Sequence, residues 1–212
     1  MTILTSSRLA RAGFAHAFPA RDVPDAALLA ALGVARVIQT RKQVHGARAV
    51  HAAEAEGQEA DAIVGAGSSV AVGVRVADCV PVLAADEATG RVVAIHAGWR
   101  GVAAGVVREG IGLLAGGRAR VLAAVGPCIG ACCFEVGLEV AERVGFVVRR
   151  EGDKAYVDLR AAVRSQLEAA GVGGRDIEDV PGCTRHEAEL FHSFRRDGAH
   201  SGRMLAAIVA RG

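Results

Sequence analysis

The sequence predicts an α+β fold, a single domain of mixed β-sheets flanked by helices. Short, nearly continuous apolar runs bounded by Gly, Pro or charge recur along the chain, as buried strands do. Segments of helical period lie between some of these runs, but without the regular strand–helix alternation of a parallel α/β sheet. With 212 residues and 51% hydrophobic content, the chain can fill one sizeable core.

Taken in order, Ala26 to Leu32 reads as a short helix closed by Gly33. Val34 to Thr40 alternates and is rich in β-formers, so a strand is expected there, delivering Lys42-Gln43-Val44-His45-Gly46 to a loop. Arg48 to His51 resumes as a strand, and Glu54 to Gln58 is a polar connection. Asp61 to Gly65, Val70 to Ala77 and Val80 to Ala84 are expected strands, Gly90 a turn, and Val92 to His96 a buried central strand. Gly98-Trp99-Arg100-Gly101 breaks that strand, and one helix is expected over Val102 to Leu114. Arg120 to Val125 is a further buried strand, closed by Gly126-Pro127. Leu138 to Val144 reads as a helix, and Tyr156 to Leu159 passes from strand into an amphipathic helix over Leu159 to Ala170. Ile177 to Val180 and Met204 to Val209 complete the strands.

Composition excludes several classes of function. Lys+Arg 25 against Asp+Glu 23 leaves a net charge of +2 with no basic cluster, which argues against nucleic-acid binding. Apolar stretches are interrupted within about 12 residues, too short to span a bilayer. The opening Met1 to Arg8 carries no secretory apolar core, so a cytoplasmic setting is expected, and the five Cys are expected unpaired. Nothing in the sequence speaks to oligomeric state.

Three blocks each place a metal-capable side chain at the edge of a predicted strand beside Gly or Pro. They are Gln43-Val44-His45-Gly46, Ala77-Asp78-Cys79-Val80-Pro81 and His96-Ala97-Gly98-Trp99-Arg100-Gly101. Two imidazoles and a thiolate suit zinc, and three protein ligands leave one position for water or substrate. The glycines around Trp99 point to close backbone approach.

The blocks KQVHG, ADCVP, HAGWRG, GPCIGACCFEVG and SFRRDG…SGRMLA, in that order from about Arg36 to the C-terminus, resemble the YfiH or laccase-domain family. The resemblance implies a mixed α/β sandwich without a Rossmann site. It also implies one zinc ion per chain, rather than copper, on His45, Cys79 and His96. Purine nucleoside and phosphate are the implied small-molecule partners, with phosphorolysis of adenosine, inosine or methylthioadenosine and deamination of adenosine as the implied reactions. The family's N-terminal Thr-Arg-x-Gly-Gly-x-Ser stretch is missing, and the N-terminal region of the 1–212 domain is expected to be short. Pro24-Asp25 stands where the family carries an Asn-Arg pair, leaving Arg21 or Arg41 to take the place of that arginine.

Other residues carry two readings each. Asp78 is a general base or an orienting partner of a ligand His. Arg100 is the first candidate for phosphate, with Arg195 and Arg196 behind it; the alternative for Arg195-Arg196-Asp197-Gly198 is an ion pair around a turn. Trp99 packs beside the site or stacks on a base. Cys128, Cys132 and Cys133 lack the usual C-x2-C spacing and are expected to be buried apolar thiols. Cys183, His186 and His192 show no ligand spacing. The base-deaminase pattern H-x-E…P-C-x-x-C is absent, and seven scattered His do not supply the copper sites of a laccase. Two further functional readings remain. One is a metal-free hydrolase for peptidoglycan precursor editing, with Cys79 as nucleophile and His45 or His96 as base. The other is a metal-stabilised binding protein without turnover.

Overall fold

The computed structural model describes residues 1–115 and 120–211. A six-stranded sheet forms the centre, ordered β13 (Ile177–Asp179), β9 (Val121–Val125), β7 (Val80–Asp86), β8 (Val92–Ala97), β5 (Ala62–Gly65) and β4 (Ala49–His51). Against it lies a five-stranded sheet ordered β1 (Ile3–Leu4), β2 (His16–Pro19), β14 (Met204–Val209), β6 (Ala71–Val76) and β3 (Val37–Ile38). Both sheets are mixed: β3 runs parallel to β6 and β4 to β5, whereas β7, β8 and β9 pair antiparallel.

Alternation along the strands explains the layering. Ile63, Leu83, Ala94 and Leu122 face one way from the central sheet and meet Val72, Val74 and Ile208 of the other. Their neighbours Val64, Val82, Ile95 and Ala123 face the opposite way, under α5 (Val106–Leu114) and α7 (Leu159–Ala169). The outer face of the five-stranded sheet is covered by Leu28 and Leu32 of α2 (Asp25–Leu32). Strands β7 and β8 are therefore buried on both faces, which is why they read as unbroken apolar runs.

The single helix expected over Val102 to Leu114 is two. α4 (Trp99–Ala104) begins three residues earlier, because the Gly98 carbonyl accepts the Val102 N–H at 2.8 Å. It stops at Gly105, whose φ of 88° closes one helix before α5 begins. The strand expected over Val34 to Thr40 is only Val37–Ile38, and the polar connection at Glu54 is entered through the short helix α3 (Ala52–Ala55). Helices α2, α6 (Leu138–Val144) and α7 fall where their periodicity places them.

The N-terminal region is built rather than a bare lead-in, with β1, α1 (Ser7–Arg11) and β2 preceding α2. Glu178 of β13 fastens α1: its carboxylate accepts the Ser7 and Arg8 N–H groups at 3.1 and 2.9 Å and the Ser6 hydroxyl at 2.8 Å. A small sheet of β10 (Glu135–Gly137), β12 (Lys154–Val157) and β11 (Val147–Glu151) also lacks a sequence signal, since most of β11 is exposed and charged. The remaining helix, α8 (Phe194–Asp197), lies beside the cleft described next.

Candidate metal centre and its cleft

His45, Cys79 and His96 come together although 34 and 17 residues of sequence part them. Cys79 closes the bend between β6 and β7, and His96 stands near the end of β8. Antiparallel pairing sets Val80 opposite Ala97 and Pro81 opposite His96, so the two ligands meet across the β7–β8 ladder. On the other side of β8 lies β5, and Asp61 just before it organises the loop that carries His45. The ligand atoms of the three residues lie within 4.8 Å of one another. The imidazole rings meet edge to face, with centroids 4.7 Å apart.

Asp61 is the functional residue that sequence reasoning missed. Its fully buried carboxylate accepts the backbone N–H of Val44 at 3.2 Å, of His45 at 2.9 Å and of Gly46 at 2.8 Å. The same carboxylate lies 2.8 Å from Nδ1 of His96. Since an ionised carboxylate only accepts, His96 donates through Nδ1 and keeps Nε2 for a metal. One buried charge thus shapes the loop of one ligand and fixes the tautomer of another. The signal in the sequence was an acidic residue opening an otherwise apolar strand, Asp-Ala-Ile-Val-Gly.

Two non-glycine residues of the centre sit in the left-handed region, His45 at φ 61° and Asp78 at φ 84°. Such conformations persist where surrounding bonds over-determine them. For His45 these bonds run to Asp61; for Asp78 they run to the Thr184 hydroxyl and the Arg195 N–H, each at 2.6 Å. Gly98 is required by proximity: a Cβ there would lie 2.9 Å from His45 and 3.0 Å from the Cys79 sulfur.

Burial opposes charge on both Cys79 and His96, yet mutual contact prevails. Hydrogen bonds and charge from His45 and His96 outweigh burial and bring the Cys79 thiol down to about 6. Burial is likewise overcome at His96, where Asp61 and Cys79 bring the imidazole up to about 9. The contact thus favours negative charge on the sulfur and positive charge on the imidazole. Exchanging the added proton of that imidazole for a cation leaves two neutral imidazoles and a thiolate, a donor set that fits a metal ion.

The centre lies in a cleft of about 730 Å³. Trp99, Arg100, Asp78 and Arg195 line it, and so do Arg75 and Arg203. Three of the expected roles are corrected. Both carboxylate oxygens of Asp78 are engaged, so it clamps Thr184 and Arg195 rather than standing free as a base. Arg41 is outside the cleft and pairs with Glu59 at 2.9 Å on the surface. Arg196 spends its guanidinium on Asp197 and on the carbonyls of Thr184, Arg185 and Phe191, which is the turn-building alternative. Arg21 donates to the Ala188 carbonyl. The Trp99 ring carries Arg100 at 4.4 Å and Arg143 at 5.6 Å, making it a platform for guanidinium groups. Asp25, at the position of the family's Asn-Arg pair, forms an ion pair with Arg75 of the cleft.

Among the described residues a second group of metal-ligating side chains occurs. Cys132, Cys133, Cys183 and His186 bring their ligand atoms within 4.8 Å of one another. This corrects the expectation of buried apolar thiols, which holds for Cys128 but not for exposed Cys132. Burial pushes the Cys128 thiol up to about 11 despite the neighbouring Arg160.

Fold and site together define an α+β protein with a candidate Cys/His metal centre at one end of a two-sheet core. Residues 24–211 match the family described as multi-copper polyphenol oxidoreductase laccase, and the chain belongs to that family. It is 40% identical over 193 residues to a purine nucleoside phosphorylase of Deinococcus radiodurans, covering 86% of this chain and 74% of that protein. It is 38% identical over 170 residues to the adenosine deaminase RL5 of an unknown prokaryotic organism, covering 74% of this chain and 65% of that protein. Among solved structures, Neisseria meningitidis protein NMB0706 aligns with a TM-score of 0.77 at 35% identity, covering 91% of this chain and 84% of that one. The chain spans 57% of the Escherichia coli purine nucleoside phosphorylase YfiH.

Proposed function

We propose that this chain is a zinc-dependent enzyme of purine nucleosides, cleaving adenosine, inosine or methylthioadenosine with phosphate and deaminating adenosine. The observation that carries this reading is an incomplete donor set, His45, Cys79 and His96, opening into a cleft lined by Arg75, Arg100, Arg195 and Arg203. Three protein ligands would leave one coordination position for water or substrate, as in catalytic rather than structural zinc sites. When bound, the ion would polarise a substrate oxygen or lower the pKa of a water toward neutrality.

The chain's own residues supply binding and orientation. Arg100 and Arg195 present planar donor forks suited to phosphate, and each rests on an aromatic ring that limits its rotation. Phe194, 52% exposed at the edge of the cleft, offers an apolar face for a base. Asp61 keeps the proton on Nδ1 of His96 so that Nε2 stays a lone-pair donor. Asp78 positions Arg195 by accepting its backbone N–H.

The test is incubation of the protein with adenosine, inosine and methylthioadenosine, with and without phosphate, beside His96→Ala. Free base formed only with phosphate, or inosine formed from adenosine, is the expected result. Activity no greater than that of His96→Ala overturns the proposal.

The depressed Cys79 thiol beside two imidazoles favours one second reading, a metal-free Cys–His hydrolase acting on a peptidoglycan precursor. Stoichiometric zinc that disappears in Cys79→Ser counts against it. Covalent labelling of Cys79 that blocks hydrolysis in metal-free protein supports it.

A further inference from the structure

We propose that Cys132, Cys133, Cys183 and His186 form a second, closed, four-coordinate zinc site that pins the loop after β9 to the loop after β13. The three distances from the Cys132 sulfur match tetrahedral edges, and all four ligand atoms lie within 4.8 Å of one another. With Zn–S of about 2.3 Å and Zn–N of about 2.0–2.1 Å, tetrahedral edges are about 3.8 Å between sulfurs and about 3.6 Å from sulfur to nitrogen. The Cys132 sulfur lies 3.6 Å from that of Cys133, 4.0 Å from that of Cys183 and 3.6 Å from Nδ1 of His186.

The backbone is arranged to carry negative sulfur. Gly130 donates its N–H to the Cys183 sulfur at 3.3 Å. The two loops are already in register: Cys128 bridges Cys183, and the Thr184 N–H donates to the Cys128 carbonyl at 3.0 Å.

Four protein ligands leave no open position, so this ion would be structural. It would also brace the first centre. Ile129 and Phe134, on one tethered loop, line the cleft, and Thr184, on the other, holds Asp78 beside Cys79. Binding releases thiol protons, so occupancy falls as pH falls. The inference does not depend on the reaction proposed above.

Zinc content after loading under reductant and desalting tests it, on the wild-type chain, His96→Ala and a Cys132→Ser/His186→Ala double variant. Both residues of the double variant are exposed, so the core is untouched. Two zinc ions per chain are expected in the wild type and one in each variant. Cobalt in His96→Ala should give the strong sulfur-to-metal absorption of a three-thiolate site, well above that of the double variant, whose first centre holds one thiolate, Cys79. A wild type with one ion that the double variant loses fails the first centre and supports the second. Equal metal in wild type and double variant overturns the proposal. So does a Cys132–Cys183 disulfide in protein isolated without oxidant.

Discussion

Replacing Asp61 by Asn separates the shape of the metal centre from its ligands. The change keeps side-chain volume, removes a buried charge and turns one oxygen into a donor. At Oδ2 the new NH2 would face the Val44 and Gly46 N–H groups; at Oδ1 it would face the His45 N–H and lie within reach of Nδ1 of His96. In either orientation a buried backbone donor loses its acceptor, which costs about 1–3 kcal/mol of stability. In the second orientation the amide donates to Nδ1, and the His96 proton moves to Nε2, the nitrogen needed for metal. Loss of such an orienting partner typically weakens metal binding about 10–100-fold. Competition titration against a zinc chelator measures the affinity, and thermal unfolding of metal-free protein measures the stability. Asp61→Asn binding zinc at the first centre as tightly as wild type would refute the assignment of Asp61 as its organiser.

Gly98→Ala should abolish metal binding at the first centre while the chain still folds, because its Cβ would lie 2.9 Å from His45 and 3.0 Å from the Cys79 sulfur; elemental analysis with circular dichroism reads both. Glu178→Gln should cost about 1 kcal/mol by loosening α1. Although burial opposes it, hydrogen bonds from Arg8 and Ser6 lower the folded pKa of Glu178. Its contribution is therefore complete above the unfolded value of about 4.3 and is lost as pH falls through the depressed folded value. Denaturant midpoints of wild type and variant should accordingly differ at neutral pH and converge in acid. Arg195→Ala keeps the backbone bond to Asp78 but removes the guanidinium from the cleft, and should raise KM for phosphate about tenfold or more in phosphorolysis assays. An unchanged phosphate KM would remove Arg195 from substrate binding.

Much of the fold was legible because local rules and burial agree. Strands β7, β8, β9 and β14 are buried on both faces and read as apolar runs, and α6 and α7 carry their period with Gly145 and Gly171 just past their ends. Strand β11 left no trace, because an exposed edge carrying Arg149, Arg150 and Glu151 needs no apolar pattern. The short strands β1 and β2 owe their pairing to partners elsewhere, β2 to β14 near the other end of the chain. The helix expected to run from Val102 to Leu114 missed a break at Gly105, since that segment also holds Gly110 and Gly112, which α5 tolerates, and local sequence does not tell the glycine that ends a helix from those that do not.

The candidate centre divides the same way. Residue type and the Gly and Pro beside each ligand marked His45, Cys79 and His96, because metal chemistry restricts donors and tight approach restricts neighbours. Their convergence, the role of Asp61 and the meeting of Cys132 and Cys133 with Cys183 and His186 were decided by tertiary structure. Strand pairing brings together residues that no local spacing relates, and a buried charge has meaning only through the donors that surround it. By itself the sequence determined which residues can bind metal and which runs must be buried; the packing of two sheets decided which of them share a site.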